Sequence, residues 1–139
     1  MTIRCLIYAF ILVIIPPDCS GLCGQTLDDF FTALSAVESG HDDNAVGDGG
    51  ASIGRYQIQW AYWKDAIDHD PSIGGKYEDV KDPAYARRIM LAYWDRYARK
   101  ALAERDFETL ARIHNGGPRG ASKDATIPYW RKVERQLTQ

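Results

Sequence analysis

Cysteine is scarce in this sequence of 139 residues. The chain has three cysteines, and all of them lie among its first 23 residues. A domain formed by the remaining residues has no internal disulfide, and it lacks the Cys/His spacings that bind zinc. Such a domain, of about 115 residues, must be stabilised by its hydrophobic core alone, which a chain of this length permits.

An excess of charge of either sign is also missing. The chain carries 17 Lys and Arg against 19 Asp and Glu, a net charge of −2. This balance excludes the strongly basic footprint of nucleic-acid-binding proteins, and it gives no basic attraction to anionic lipids or wall polymers. With 45% hydrophobic and 26% charged residues, the composition is that of one globular domain and not of a disordered chain.

No apolar run in the sequence is long enough to cross a membrane. The longest, residues 5–15, has 11 residues, whereas a span needs about 20. Arg4 precedes this run and Pro16-Pro17 follow it, which is typical of a secretory signal cleaved after Gly21 or Gly24. We therefore expect a signal segment at about residues 1–24 and a secreted domain, extracellular or periplasmic, at residues 25–139. An uncleaved anchor and a buried N-terminal strand are the alternatives.

Helical spacing of apolar residues dominates residues 25–139. The pattern predicts helices at residues 27–39, 60–68, 83–104, 107–114 and from 128 onward. Thr26, Asp82 and Asp106 are the predicted N-caps, and Gly40 is the predicted end of the first helix.

A glycine-rich stretch, residues 41–59, separates the first two predicted helices. It predicts short strands at residues 45–46 and 52–58, which together form one small β-hairpin. The fold class is therefore α+β, mainly α. The aromatic side chains suit a dense core, in which we expect Trp60, Tyr62, Trp63, Tyr93 and Trp94.

Two acidic residues stand in unusual surroundings. Glu38 follows Val37 near the end of the first predicted helix and borders its apolar face, where partial desolvation favours the protonated form of a carboxyl group. Asp48 lies ten residues later between glycines, which let the backbone turn this side chain back toward Glu38. Two carboxyl groups across a cleft are the machinery of glycoside hydrolysis. The alternatives are a surface glutamate at a helix end and an ordinary Asp-Gly turn.

Several segments of the sequence resemble, in order, the invertebrate-type, destabilase-like lysozymes. They are Glu38-Ser39-Gly40, Asp48, Gly54-Arg55-Tyr56-Gln57-Ile58, Tyr62-Trp63 with Asp65, Ala111 to Gly120, and Thr126 to Val133. A looser likeness links the chain to soluble lytic transglycosylases. The resemblance implies a lysozyme-like fold with a small hairpin beside the catalytic cleft, with Glu38 as general acid and Asp48 as nucleophile or stabiliser. The chain departs from this cysteine-rich family at Ile53, Ala66 and Ala121, which replace cysteines.

The resemblance also implies a set of substrate-binding residues. Ser52, Tyr56 and Gln57 on the hairpin offer hydroxyl and amide groups for N-acetyl groups and ring hydroxyls. The alternative is a plain hairpin with a buried tyrosine. His114 and Asn115 end the fourth predicted helix. His114 is expected to line the cleft or only to close the helix, and Asn115 to bind an acetamido group or to hold Glu38. For Tyr129 at the start of the last helix, stacking on sugar, stacking on His114 and core packing all remain open.

The sequence thus predicts a secreted peptidoglycan hydrolase that cleaves the β-1,4 bond between N-acetylmuramic acid and N-acetylglucosamine. We expect no metal or other cofactor, no nucleic-acid partner, no stable membrane insertion after signal removal, and a monomer. One alternative is a lytic transglycosylase that uses Glu38 alone. The other is a catalytically idle module that only binds peptidoglycan. An isopeptidase activity is not required by any residue of the sequence.

Overall fold

The computed structural model describes residues 24–139. Five α-helices make up most of this part of the chain: α1 (Leu27–Ser39), α2 (Trp60–His69), α3 (Pro83–Glu104), α4 (Phe107–Gly116) and α5 (Ile127–Leu137). The helices predicted from the sequence are confirmed, with bounds shifted by one or two residues. The predicted signal segment lies outside the described residues, apart from Gly24, and stays a prediction.

Side-chain caps fix where the helices begin and end. The Thr26 hydroxyl accepts the Asp29 N–H, and the Asp29 carboxylate accepts the Thr26 N–H in return, so α1 starts with a capping box. Gly40, at φ 63°, ends α1 in the left-handed conformation that glycine adopts without strain. Asp82 caps α3 through the Tyr85 N–H, and Asp106 caps α4 through the Thr109 N–H.

The predicted hairpin is a three-stranded antiparallel sheet, which corrects the sequence-based expectation. Its strands are β1 (Val46–Gly47), β2 (Ser52–Ile53) and β3 (Ile58–Gln59), in the order β1-β2-β3. Residues 54–57 form a turn, with Gly54 and Gln57 at positive φ, and this turn divides the predicted second strand into two. Gly47 pairs with Ser52, and Ser52 with Gln59. Because directly paired residues point to the same face of a sheet, the Ser52 and Gln59 side chains share one face, and Gly47 adds no side chain to it.

The core lies where α1, α3, α4 and α5 meet. Phe30 stacks on Phe107 with ring centroids 4.5 Å apart and also contacts Trp94, which is fully buried. Aromatic pairs of this kind add stability beyond the area that they bury. Trp60, which we expected in this core, is instead 55% exposed at the first turn of α2. Within residues 24–139 no helix is long and apolar enough to cross a membrane.

Candidate active site

An open cleft of about 470 Å³ lies between the three-stranded sheet and the helices. Its lining combines carboxyl, amide and aromatic side chains. The residues around it are Glu38, Asp48, Ser52, Gln57, Gln59, Ala61, Tyr62, Asp65, Tyr93, His114, Asn115, Gly117 and Pro118. The cleft therefore brings together Glu38 and Asp48, the two carboxyl groups singled out in the sequence.

Glu38 is held in the last turn of α1. Its side chain is only 17% exposed. The Tyr129 hydroxyl donates a hydrogen bond of 2.6 Å to Glu38 Oε1, and His114 Nε2 lies 3.4 Å from the same oxygen. A carboxyl group with these contacts points into the cleft with one oxygen held by the protein and the other free of such contacts.

His114 forms the floor beneath Glu38. Its side chain is 4% exposed, with Nε2 3.2 Å from the carbonyl oxygen of Tyr56 and Nδ1 3.4 Å from the Tyr62 hydroxyl. Because Nε2 faces two acceptors and Nδ1 faces a hydroxyl that can donate, a ring proton on Nε2 matches these contacts. The side chain thus supports Glu38 from below and presents little surface to a ligand.

The phenols around Glu38 keep their protons. Burial, together with the negative charge of Glu38, raises the pKa of Tyr129 well above its usual value. Burial likewise raises the pKa of Tyr62 well above its usual value, with smaller contributions from Tyr93 and Glu38. For Tyr93, burial and the nearby Asp65 raise the pKa to about 12. These hydroxyls therefore stay hydrogen-bond donors throughout the pH range in which proteins are folded.

Asp48 approaches the cleft from the segment between β1 and β2. Its backbone has φ 52°, a left-handed conformation that Asp tolerates better than most residues. Its Oδ2 accepts a hydrogen bond of 2.5 Å from the Ser52 hydroxyl, and Gln59 Nε2 lies 3.4 Å away. Asp48 is exposed, so its carboxylate is both oriented by the sheet and open to a ligand.

The structure separates the predicted substrate-binding residues into two groups. Gln57 and Asn115 line the cleft, and Asn115 is exposed there. Ser52 is 1% exposed and is used by Asp48. The Tyr129 hydroxyl donates to Glu38, and stacking of this ring on a sugar stays a prediction.

Tyr56 is a correction to the sequence-based assignment. Its side chain is 1% exposed and packs edge-on against Phe31 at 5.8 Å between ring centroids. Its hydroxyl accepts a hydrogen bond of 2.9 Å from Arg87 Nε. Because the Tyr56 phenol is buried and already hydrogen-bonded, it is not available to a ligand. Only the backbone carbonyl oxygen of Tyr56 contributes to the site, as a partner of His114 Nε2.

Sequence reasoning missed part of the cleft wall. Tyr62 and Tyr93 are buried, as expected, and stack at 3.6 Å between ring centroids, yet both border the cleft. Asp65 follows Tyr62 by three residues on α2, which places both on one helix face. Gln59 pairs with Ser52 across the sheet. The helix spacing was readable from the sequence, whereas the strand pairing was not, because it depends on the turn at residues 54–57.

A metal is not suggested by the arrangement. Among residues 24–139, no group of three or more His, Cys, Asp or Glu side chains is placed to hold an ion.

Comparison with known proteins identifies the family. The sequence model of the Destabilase family matches residues 28–136. Lysozyme 1 of Crassostrea virginica is 41% identical over 86 residues, which are 61% of this chain and 45% of that protein. A lysozyme of Meretrix lusoria is 35% identical over 88 residues, 63% of this chain and 69% of that protein. The chain thus spans about half to two thirds of the length of these curated relatives.

Solved structures agree with the sequence relatives. Meretrix lusoria lysozyme in complex with PliI of Aeromonas hydrophila superposes with a TM-score of 0.64 at 31% identity, over 77% of this chain and 87% of that one. Tapes japonica lysozyme superposes with the same TM-score of 0.64 at 28% identity, over 76% and 85% of the two chains. The lysozyme-like fold expected from the resemblance is therefore confirmed. The chain belongs to the Destabilase family, together with these invertebrate-type lysozymes.

Proposed function

We propose that this protein is a secreted peptidoglycan hydrolase that cleaves the β-1,4 bond between N-acetylmuramic acid and N-acetylglucosamine. The observation that carries the proposal is the placement of Glu38 and Asp48 in one cleft, each oriented by its own donor. Several relatives that the chain matches are named lysozymes. Its export is inferred from the signal-like pattern of residues 1–24.

The two carboxyl groups differ in the way that glycoside hydrolysis needs. Glu38 is largely shielded from solvent, which suits a group that stores a proton and gives it to the glycosidic oxygen. Asp48 is exposed, and the Ser52 hydroxyl orients its carboxylate. It is suited to stabilise positive charge at the anomeric carbon, to attack that carbon or to activate water.

The remaining cleft chemistry fits an uncharged, hydroxyl-rich glycan. Gln57, Gln59 and Asn115 present side-chain amides, which donate to and accept from N-acetyl groups and ring hydroxyls. Tyr62 and Tyr93 supply an aromatic wall. Polar groups of this kind set specificity in a pocket that fixes the orientation of its ligand.

The test replaces the proposed acid by its amide. In Glu38→Gln the side chain keeps its shape but has no proton to give, so release of reducing ends from cell walls should fall about 10²- to 10⁴-fold. Glu104→Gln, an exposed glutamate in the last turn of α3, is the matched control and should keep full activity. If a folded Glu38→Gln variant clears wall suspensions at the wild-type rate, Glu38 is not the general acid.

Product analysis separates hydrolysis from the transglycosylase alternative. A hydrolase adds one water to each cleaved bond, whereas a lytic transglycosylase leaves an anhydro sugar that is lighter by that water. Mass spectrometry of the released muropeptides distinguishes the two products. An idle binding module releases neither, although it still sediments with the walls.

A further inference from the structure

Both protein contacts to the Glu38 carboxyl group converge on one of its two oxygens. The Tyr129 hydroxyl donates to Oε1 at 2.6 Å, and His114 Nε2 lies 3.4 Å from the same Oε1. Within the described part of the chain, no side chain or backbone group forms a hydrogen bond with Oε2. The two oxygens are thus chemically distinct, although a free carboxyl group would exchange them by rotation.

We propose that Tyr129 is a positioning residue for the reaction: it clamps Glu38 Oε1, so that the transferable proton sits on Oε2 and faces the cleft. This inference rests on the proposed hydrolase function. Oε1 already accepts a hydrogen bond of 2.6 Å from the phenol, so a carboxyl proton on Oε1 would lie against the hydroxyl proton of Tyr129 and would be disfavoured. The remaining oxygen, Oε2, then carries it.

The clamp holds throughout the transfer. The proton leaves Oε2 for the glycosidic oxygen, and the bond from that oxygen to the anomeric carbon breaks, with its electron pair staying on the oxygen. The positive charge left on the anomeric carbon faces Asp48 and is captured by Asp48 or by water. Glu38 becomes a carboxylate, while Tyr129 keeps its proton because burial and the Glu38 charge raise the pKa of this phenol well above its usual value. A hydrogen bond to a carboxylate is stronger than one to the neutral acid. Tyr129 therefore stabilises the state that forms as the proton departs.

Stabilisation that grows along the reaction changes kcat more than KM, since only interactions stronger in the transition state lower the chemical barrier. Because the hydrogen bond is stronger to the carboxylate than to the neutral acid, its removal should also move the pH–rate profile. The other titratable groups that face Glu38 are His114 from α4, Tyr62 from α2 and Asp48 across the cleft. These three groups are present in both the wild type and a Tyr129 variant. A shift between the pH–rate profiles of the two proteins therefore reports the loss of the Tyr129 hydroxyl.

The experiment compares Tyr129→Phe with Tyr85→Phe in the full-length protein. Tyr85 is a fitting control because its phenol is also partly buried and hydrogen-bonded, to Trp63 and Gly74, outside the cleft. On a soluble peptidoglycan oligosaccharide, Tyr129→Phe should lower kcat about 10- to 100-fold, the range for a hydrogen bond to a charged group, with KM nearly unchanged. The alkaline limb of its pH–rate profile should move to higher pH. Tyr85→Phe should change neither.

A second variant guards against a simple packing effect. Replacing Tyr129 by 3-fluorotyrosine keeps the ring but makes the phenol a stronger donor, so the alkaline limb should move to lower pH. Opposite shifts in the two variants support the clamp, because a packing role predicts no shift in either. Unchanged kcat and an unchanged profile in a folded Tyr129→Phe variant would overturn it.

The clamp and the hydrolase function fail in different ways. If the wild-type protein releases reducing ends but Tyr129→Phe matches it, the clamp is wrong and the function stands. If the wild-type protein releases none, the function is wrong, and the clamp is read from carbon-13 NMR titration, with the Glu38 signal identified by its loss in Glu38→Gln. A Glu38 midpoint that rises in Tyr129→Phe supports the clamp, and an unmoved midpoint overturns it.

Discussion

Ser52 orients Asp48 much as Tyr129 orients Glu38. The Ser52 side chain is 1% exposed, and its hydroxyl donates to Asp48 Oδ2 at 2.5 Å. Asp48 needs this partner because its own backbone sits in a left-handed conformation, within a segment that includes Gly49 and Gly50 at positive φ. A carboxylate on such a segment is held by its side-chain contacts more than by its backbone.

Removal of the Ser52 hydroxyl should lower activity without unfolding the protein. In Ser52→Ala the Asp48 carboxylate loses its shortest hydrogen bond, so kcat should fall about 10- to 100-fold. Ser72→Ala is the matched control, because the Ser72 hydroxyl also donates to a carboxylate at 2.5 Å, that of Asp70, away from the cleft. Steady-state kinetics on a soluble oligosaccharide measures both. Equal kcat values for the two variants would show that Ser52 has no role in orienting Asp48.

Individual residues differed in how far the sequence revealed them. The place of Glu38 at the cleft was predictable because this residue directly follows Val37, at the border of an apolar helix stripe. Asp48 was predictable from the glycines beside it. Tyr56 was misassigned because a tyrosine in a hairpin reads the same whether it faces a ligand or the core. The Tyr129–Glu38 contact joins residues 91 positions apart, and no local pattern encodes such a pairing.

At the scale of elements, the helices follow local rules and the sheet does not. Capping residues and apolar spacing depend only on residues within one or two helical turns, and they predicted the bounds of the helices closely. The sheet depends on the turn at residues 54–57, where Gln57 adopts φ 48°, a value that a non-glycine residue seldom takes. Trp60 was misplaced for a related reason, because the start of α2 was known but not its orientation on the sheet.

Gly120 joins the end of α4 to the segment before α5. A Cβ added there would lie 1.9 Å from the carbonyl oxygen of Arg112, a backbone atom that cannot move aside. Thr126 adds to the same junction, because its hydroxyl donates to the Gly120 carbonyl oxygen and accepts from Arg112 Nε. This close approach fixes the loop that follows His114 and Asn115.

A methyl group at Gly120 should therefore destabilise the fold. We expect Gly120→Ala to lower the free energy of unfolding by about 3 kcal/mol or more, since overpacking against fixed backbone is costly. Gly40→Ala serves as the control for backbone strain alone, because Gly40 is left-handed, with φ 63° and ψ 34°, but has open space around it. That variant should lose only about 1–2 kcal/mol. Urea denaturation measures both, and equal losses would contradict the tight junction at Gly120.

The whole molecule holds its shape without covalent crosslinks in residues 24–139. That region contains no cysteine, in contrast to the cysteine-rich family that its sequence resembles. Ala66, at one of the replaced cysteine positions, is fully buried and belongs to the core. Ile53 and Ala121, at the other two positions where the resemblance implies cysteines, pack against the same core.

Thermal stability should consequently not depend on reductant. We expect the same melting midpoint by circular dichroism with and without dithiothreitol, because no disulfide within residues 24–139 can be reduced. A cysteine-rich member of the family, treated in parallel, should lose several degrees. A fall of the midpoint in reductant would show that the cysteines among the first 23 residues contribute to the folded domain.

Proton donation by Glu38 is tested most directly by changing the leaving group. In a dinitrophenyl glycoside of the N-acetylglucosamine–N-acetylmuramic acid disaccharide, the leaving group is dinitrophenolate, which departs without acid assistance. The natural glycan instead needs a proton on its leaving oxygen. We predict that Glu38→Gln loses about 10²- to 10⁴-fold on the natural glycan and retains most of its rate on the aryl glycoside. Equal losses on the two substrates would contradict the assignment of Glu38 as the general acid.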